Sequence, residues 1–226
     1  MDPVKRNILE VALAEFANFG LEGSRIESIA AGTHTSKRMI YYHFGSKENL
    51  YAQVLEFAYR IVREDHVDPP DDLPPIEALA RLAGYAFDNF SKYPDFIRLS
   101  LQENLQGARF LKSSPTIVQM NRATFAMVQD LVRRGQANGS MRKELDPMNV
   151  YINFIGQCHY HISSHFNYQV LFDYGRTWLT GSGPISPSHQ WAWPLPIPRR
   201  WRASQARPSA RGWPKGCARP GRRRRF

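Results

Sequence analysis

Residues 29–50 read IAAGTHTSKRMIYYHFGSKENL, and the spacing inside them decides the fold. Within SKRMIYYHFGSK, from Ser36 to Lys47, Ile40 and Phe44 stand four residues apart, so a helix places both on one face. Lys37, Arg38, Tyr41, Tyr42 and His43 then project elsewhere. A helix that reads DNA needs this division, with one face packed on a support and the other offering donors to phosphates and base edges. Thr35 or Ser36 can cap the helix, which is expected to run to Phe44. Lys47 falls in the first turn of the next helix, where free amides and the helix dipole favour a phosphate.

The flanking sequence supplies a support. Asp2 can cap and Pro3 suits a first turn, and Ile8, Val11, Ala12, Phe16 and Phe19 recur at helical spacing until Gly20 ends the run. Ser24 stands three residues before Glu27, which predicts a capping box at the head of a short helix over about 25–32, with Ile26, Ile29 and Ala30 buried. Ser46 caps a fourth helix carrying Leu50, Val54, Leu55, Ala58 and Ile61. Residues 1–62 therefore read as a small helical bundle.

Taken together, IAAGTHTSKRMIYYHFGSKENLY resembles the signature of TetR-family regulators: a small-residue helix, a tight turn, and a recognition helix ending in Tyr-x-His-Phe before a Ser-Lys-Glu helix start. The spacing agrees from Ile29 through Leu50 without a gap. The resemblance implies a helix-turn-helix domain over 1–62, whose reading head is three helices. It implies DNA-backbone contacts for Ser24, Tyr41, His43 and Lys47, and base-edge contacts from among Thr35, Lys37, Arg38 and Tyr42, with Ser36 at the same helix start. Phe44 is expected in the core. Two positions depart from the pattern. His34 occupies a turn position where the family usually has Gly, and Gly32 lies inside a helix, where it costs about 1 kcal/mol against Ala. The plainer alternative, that Lys37, Arg38 and Lys47 only form a solvated face, is weakened by the tight turn, the capped helices and the aromatic residues beside the charges.

Four prolines and three aspartates in 66–75 mark a connector. Helices are expected over 76–91, 94–105, 115–138 and 147–165, with Ser114 and Asp146 capping before prolines and Gly139 as a stop. Alternating strand patterns are not long enough anywhere to argue for a sheet, so the fold class is all-α. The resemblance implies that 76–174 forms an effector-binding and dimerisation domain. Candidate ligand-binding residues are Phe87, Phe90, Arg98, Gln102, Phe125, Phe154, Gln157 and His161, beside Phe96, Asn104, Tyr151 and Tyr160; most of them read more readily as core. Helix 147–165 is the candidate dimer helix, with 170–179 as a possible shortened partner. Cys158, His161 and His165 share one helical face, which keeps open an alternative, metal-responsive regulator.

The formal charge of +10 invites a nucleic-acid interpretation, but its distribution removes most of that argument. From Gly175 onward the chain has 11 Arg, Lys215 and no acid, which leaves 18 basic and 20 acidic residues before it. The tail also holds eight of the sixteen prolines and all five tryptophans without periodicity, and is expected to remain disordered. A second alternative is a non-specific nucleic-acid or membrane-surface binder working through this tail. Cys158 and Cys217 are the only cysteines, so neither a disulfide framework nor a paired CxxC site is expected. No apolar run reaches membrane-spanning length, and MDPVKRNILE lacks a secretory pattern, which places the protein in the cytoplasm without a membrane partner. No activated nucleophile, phosphate-binding loop or carboxylate pair is recognisable, so neither enzymatic activity nor a cofactor is expected. The resemblance thus implies a regulator that binds a palindromic double-stranded DNA operator as a homodimer and is released by a small organic effector.

Overall fold

A computed structural model describes residues 1–64, 69 and 72–172; the basic tail and half of the proline-rich connector lie outside the described residues. All regular structure among the described residues is helical. None of these helices is long and apolar enough to cross a membrane.

Helix α1 (Pro3–Gly23) begins at Asp2, whose carboxylate accepts the Val4 amide at 3.1 Å. Its buried stripe is Ile8, Leu9, Ala12, Leu13, Phe16 and Ala17. Phe19 does not join it, being 59% exposed. Gly20 interrupts the helix as expected, with φ 66°, and one further turn carries the chain to Gly23.

Helices α2 (Ile26–Thr33), α3 (Lys37–Phe44) and α4 (Lys47–Ile61) complete the N-terminal bundle. The expected capping box of Ser24 and Glu27 does not form. The Ser24 hydroxyl turns inward to the carbonyls of Gly20 and Glu15, and the N-cap position of α2 is Arg25, whose amide donates to Glu15 Oε1 at 3.0 Å. A carboxylate from α1 thus does what Glu27 was expected to do. Of the two candidate caps for α3, Ser36 is the one used, accepting from Met39 N at 3.3 Å, and Ser46 caps α4 as predicted, accepting from Asn49 N at 3.0 Å.

The structure also explains both departures in the turn. A Cβ on Gly32 would lie 2.8 Å from Val11 Cγ1, so the close approach of α1 and α2 requires glycine. His34, at φ 52° and ψ 30°, takes the left-handed cap itself.

The remainder comprises α5 (Pro75–Lys92), α6 (Pro94–Leu105), a 3₁₀ turn (Leu111–Ser113), α7 (Pro115–Ala137), α8 (Pro147–Ser163) and α9 (His165–Phe172). Ser114 and Asp146 cap α7 and α8, and Ser164 breaks the single helix expected to reach 165. One apolar cluster joins the N-terminal bundle to α6, α7 and α8 through Phe96, Ile97, Leu99, Ile117 and Ile162.

Glu103 of α6 is buried in that core. Its carboxylate accepts the amides of Phe110 at 2.6 Å and Leu111 at 2.9 Å, and the Tyr51 hydroxyl of α4 at 3.3 Å. Burial, followed by the charge of Glu103, pushes the Tyr51 phenol well above its ordinary range. Three donors therefore satisfy a charge that would otherwise be costly inside the protein.

Candidate functional site

Helix α3 presents two chemically distinct faces. Ile40 and Phe44 are buried, whereas Lys37, Arg38, Tyr41 and Tyr42 are exposed, Tyr42 at 79%. His43 is half-buried, its ring edge-on to Tyr42 at 5.3 Å. Lys37 forms an ion pair with Glu27, whose carboxyl is held below its usual range chiefly by the hydrogen bond from that lysine. Both partners are exposed, so the pair is weak and a phosphate can compete for the ammonium.

Lys47 opens α4, half-buried, with Nζ 3.4 Å from the Glu22 carbonyl. Thr35 is half-buried in the turn, and the Ser36 oxygen is the α3 cap. The structure therefore brings Thr35, Ser36, Lys37, Arg38, Tyr41, Tyr42, His43 and Lys47 to one helix and its two ends. Ser24 is separated from them: it is 4% exposed, and its hydroxyl is committed to main-chain carbonyls. Nothing in the sequence pointed to Lys5 of α1 packing against the α3 anchor, its ammonium 5.4 Å from the centre of the Phe44 ring. No local pattern links residues so far apart.

A second feature lies between the end of α4 and helices α5 to α8: a cavity of about 600 Å³. Of the candidate ligand residues, Phe90 and Phe154 line it, as do Phe96 and Tyr151. The others do not. Phe87 packs at a tilt against His161 at 5.3 Å and Phe125 meets Tyr151 edge-on at 5.8 Å, outside the lining. Arg98 donates to Asn18 of α1 and to Asp95, each at 3.2 Å; Gln102 lies against Gly20, and Gln157 is exposed. Helical spacing gives the face of a side chain but not the neighbour that the face meets. Helix α6 turns Arg98 and Gln102 towards α1 rather than the cavity.

The polar lining comes from residues the sequence did not single out. Arg63, just beyond α4, donates to the Tyr59 carbonyl at 3.0 Å and to Asn121 Oδ1 at 2.9 Å. Burial moves its pKa downward despite the neighbouring tyrosines, and burial likewise lowers that of His159 and raises those of Tyr59 and Tyr151. Asn89 is only 6% exposed and its Nδ2 has no hydrogen-bond partner. The available signal was its register: Asn89 follows Leu82 and Ala86 at helical spacing, a polar residue in an otherwise apolar stripe.

The metal alternative loses its geometric basis. Among the described residues, no group of three His, Cys, Asp or Glu side chains could hold a metal ion. The Cys158 thiol is buried against the Ala83 carbonyl at 3.8 Å, and burial pushes its pKa up to about 12, which disfavours the thiolate a metal needs. His161 packs against the Phe87 ring, and His165 Nδ1 pairs with the Ile162 carbonyl at 2.7 Å.

Comparison with known proteins matches both parts of the chain. Residues 8–54 fit the family model for bacterial regulatory proteins of the tetR family, and residues 75–177 fit that for tetracyclin repressor-like C-terminal domains. The HTH-type transcriptional repressor NicS of Pseudomonas putida is 29% identical over 164 residues, covering 72% of this chain and 77% of NicS. The HTH-type transcriptional regulator RutR of Escherichia coli is 34% identical over 112 residues, covering 50% of this chain and 53% of RutR, so the chain spans about half of that relative. The crystal structure of AibR in complex with isovaleryl coenzyme A and operator DNA shares the fold, with a TM-score of 0.60 and 17% identity over 82% of this chain and 92% of AibR.

Proposed function

The chain belongs to the TetR family of DNA-binding transcriptional regulators, and on that premise we propose that it is a repressor that leaves a palindromic operator when a small molecule fills the cavity. The observation that carries the DNA part is α3 itself. Its apolar face is anchored by Ile40 and Phe44, and its exposed face carries Lys37, Arg38, Tyr41 and Tyr42.

In this proposal residues 1–62 are the reading head and 76–174 the effector and dimer domain. Arg38 and Tyr42 reach base edges, while Lys37, Tyr41, His43 and Lys47 engage the backbone, with Thr35 and Ser36 at the helix start. Ser24 holds the α1–α2 corner from inside instead of touching DNA. Repression is supported by NicS, a named repressor, and an effector by AibR, which was crystallised with both a coenzyme A thioester and operator DNA.

A second copy of the chain is the partner of α8 and α9. Ile152, Tyr160, Phe166, Val170, Leu171 and Phe172 are exposed there, a large apolar surface of the kind that marks a protein contact. Two heads are also required physically, since successive major grooves recur about 34 to 36 Å apart and one short helix discriminates poorly. The test is binding of the full chain to duplex from upstream of its own gene against random competitor. Preference for a palindromic segment, at two chains per site, supports the proposal; equal affinity for all duplexes would sink it.

A further inference from the structure

The cavity carries a charge that no carboxylate among the described residues balances. Among the described residues, Arg63 is the only Lys, Arg, Asp or Glu lining it. The partners of its guanidinium are a main-chain carbonyl and a neutral amide, and the Tyr59 ring lies 5.6 Å from its central carbon. Burial is the largest influence on its pKa and acts downward, and no carboxylate contributes a compensating upward pull. A guanidinium does not give up its proton under these conditions, so desolvation leaves a positive charge facing the cavity. Such a charge is stabilised by an anion with a planar, two-oxygen end that matches the guanidinium fork.

Two further observations restrict the rest of the ligand. Asn89, more than nine-tenths buried on the cavity wall, holds an Nδ2 donor without an acceptor. The remaining wall mixes aliphatic side chains with a set of rings: Tyr59 and Phe96 meet edge-on at 5.0 Å, Tyr151 and Phe154 edge-on at 5.5 Å, and Phe90 and Phe96 tilted at 5.4 Å. A volume of about 600 Å³ falls within the range of pockets for drug-sized molecules.

We propose that the effector is a small aromatic carboxylate, its carboxyl group paired with Arg63, its ring held among the tyrosine and phenylalanine rings, and a second acceptor on it taken by Asn89. This rests on the cavity being the effector site and narrows the chemistry of what enters it. A coenzyme A thioester fits less well, because one arginine cannot pair several phosphate charges.

The experiment measures thermal stabilisation and calorimetric binding of the full chain with benzoate and phenylacetate, and with benzamide and phenylacetamide as neutral counterparts. The acids should bind about ten- to a hundredfold more tightly than the amides. Arg63→Met should abolish that preference and Arg63→Lys should restore part of it, whereas Asn89→Leu should weaken 4-hydroxybenzoate, a probe that adds a second acceptor, and leave benzoate nearly unchanged. If Arg63→Met fails to fold, the comparison of acids with amides on the unaltered chain decides. Equal binding of acids and amides overturns the anion but leaves the cavity as the effector site. Binding of neither class overturns the proposal, and in that case stabilisation by isovaleryl coenzyme A, unaffected by Arg63→Lys, would show that the effector site stands with a different ligand.

Discussion

Helix α3 and the cavity walls draw on the same residue types, basic, aromatic and polar, but orient them oppositely. Helix α3 buries Ile40 and Phe44 and turns Arg38, Tyr41 and Tyr42 to solvent, whereas the cavity turns Arg63, Asn89, Asn121 and His159 inward. Outward display needs only the register of one helix. Inward display needs several helices to arrive together, and it places polar groups where each missing partner is costly. The head can therefore be specified by a short motif, while the cavity is specified only by the assembled body.

Glu103 tests whether the two regions are separate at all, since it bonds α4 of the head to α6 and the 3₁₀ approach of the body. Glu103→Ala should strand two main-chain amides and the Tyr51 hydroxyl, at a cost of roughly 3 kcal/mol or more. Urea unfolding followed by circular dichroism should show a single transition at lower denaturant. Two separated transitions in the unaltered chain would mean that head and body are independent folding units, contrary to the shared apolar cluster.

The next largest effect should appear in DNA discrimination. Arg38→Ala removes an exposed donor and should cost about 1 to 3 kcal/mol for the preferred operator while leaving random duplex nearly unaffected. Competition binding against operator variants would locate the base concerned. A uniform loss across sequences would instead move Arg38 to the phosphate backbone. Lys47→Ala should show that uniform behaviour, with a smaller loss and a salt slope reduced by about one unit. An unchanged slope would leave Lys47 with the Glu22 carbonyl as its sole role.

What could be read from the sequence follows the same division. The caps at Ser36, Ser46, Ser114 and Asp146 and the outward face of α3 depend on residues within a turn of one another, and all were legible. The start of α2 was misread because its cap acceptor, Glu15, lies ten residues upstream on another helix. The Tyr51–Glu103 bond spans 52 positions and the Arg63–Asn121 bond 58, so neither could be found by spacing. Arg98 and Gln102 had suitable chemistry for a pocket, but the packing of α6 against α1 assigned them elsewhere.

The smallest effect should come from the turn between α2 and α3, and it separates strain from use. His34 holds a left-handed conformation, which costs an L-residue about 1 to 2 kcal/mol, while the Thr35 amide closes the helix end onto the Ala30 carbonyl at 3.2 Å. His34→Gly relieves the strain but enlarges the freedom of the unfolded chain, so the net gain should be under about 1 kcal/mol. Gly32→Ala, two positions earlier, should act in the opposite direction, because its Cβ would meet the stiff Val11 side chain at 2.8 Å and outweigh the better helix propensity. Denaturant midpoints and operator affinity, measured on both variants, separate the two residues. If His34→Gly is more stable yet binds every duplex less tightly, the imidazole touches a phosphate and the strain serves DNA binding. If stability rises and affinity is unchanged, His34 is tolerated only because the turn is already fixed by the helices on either side.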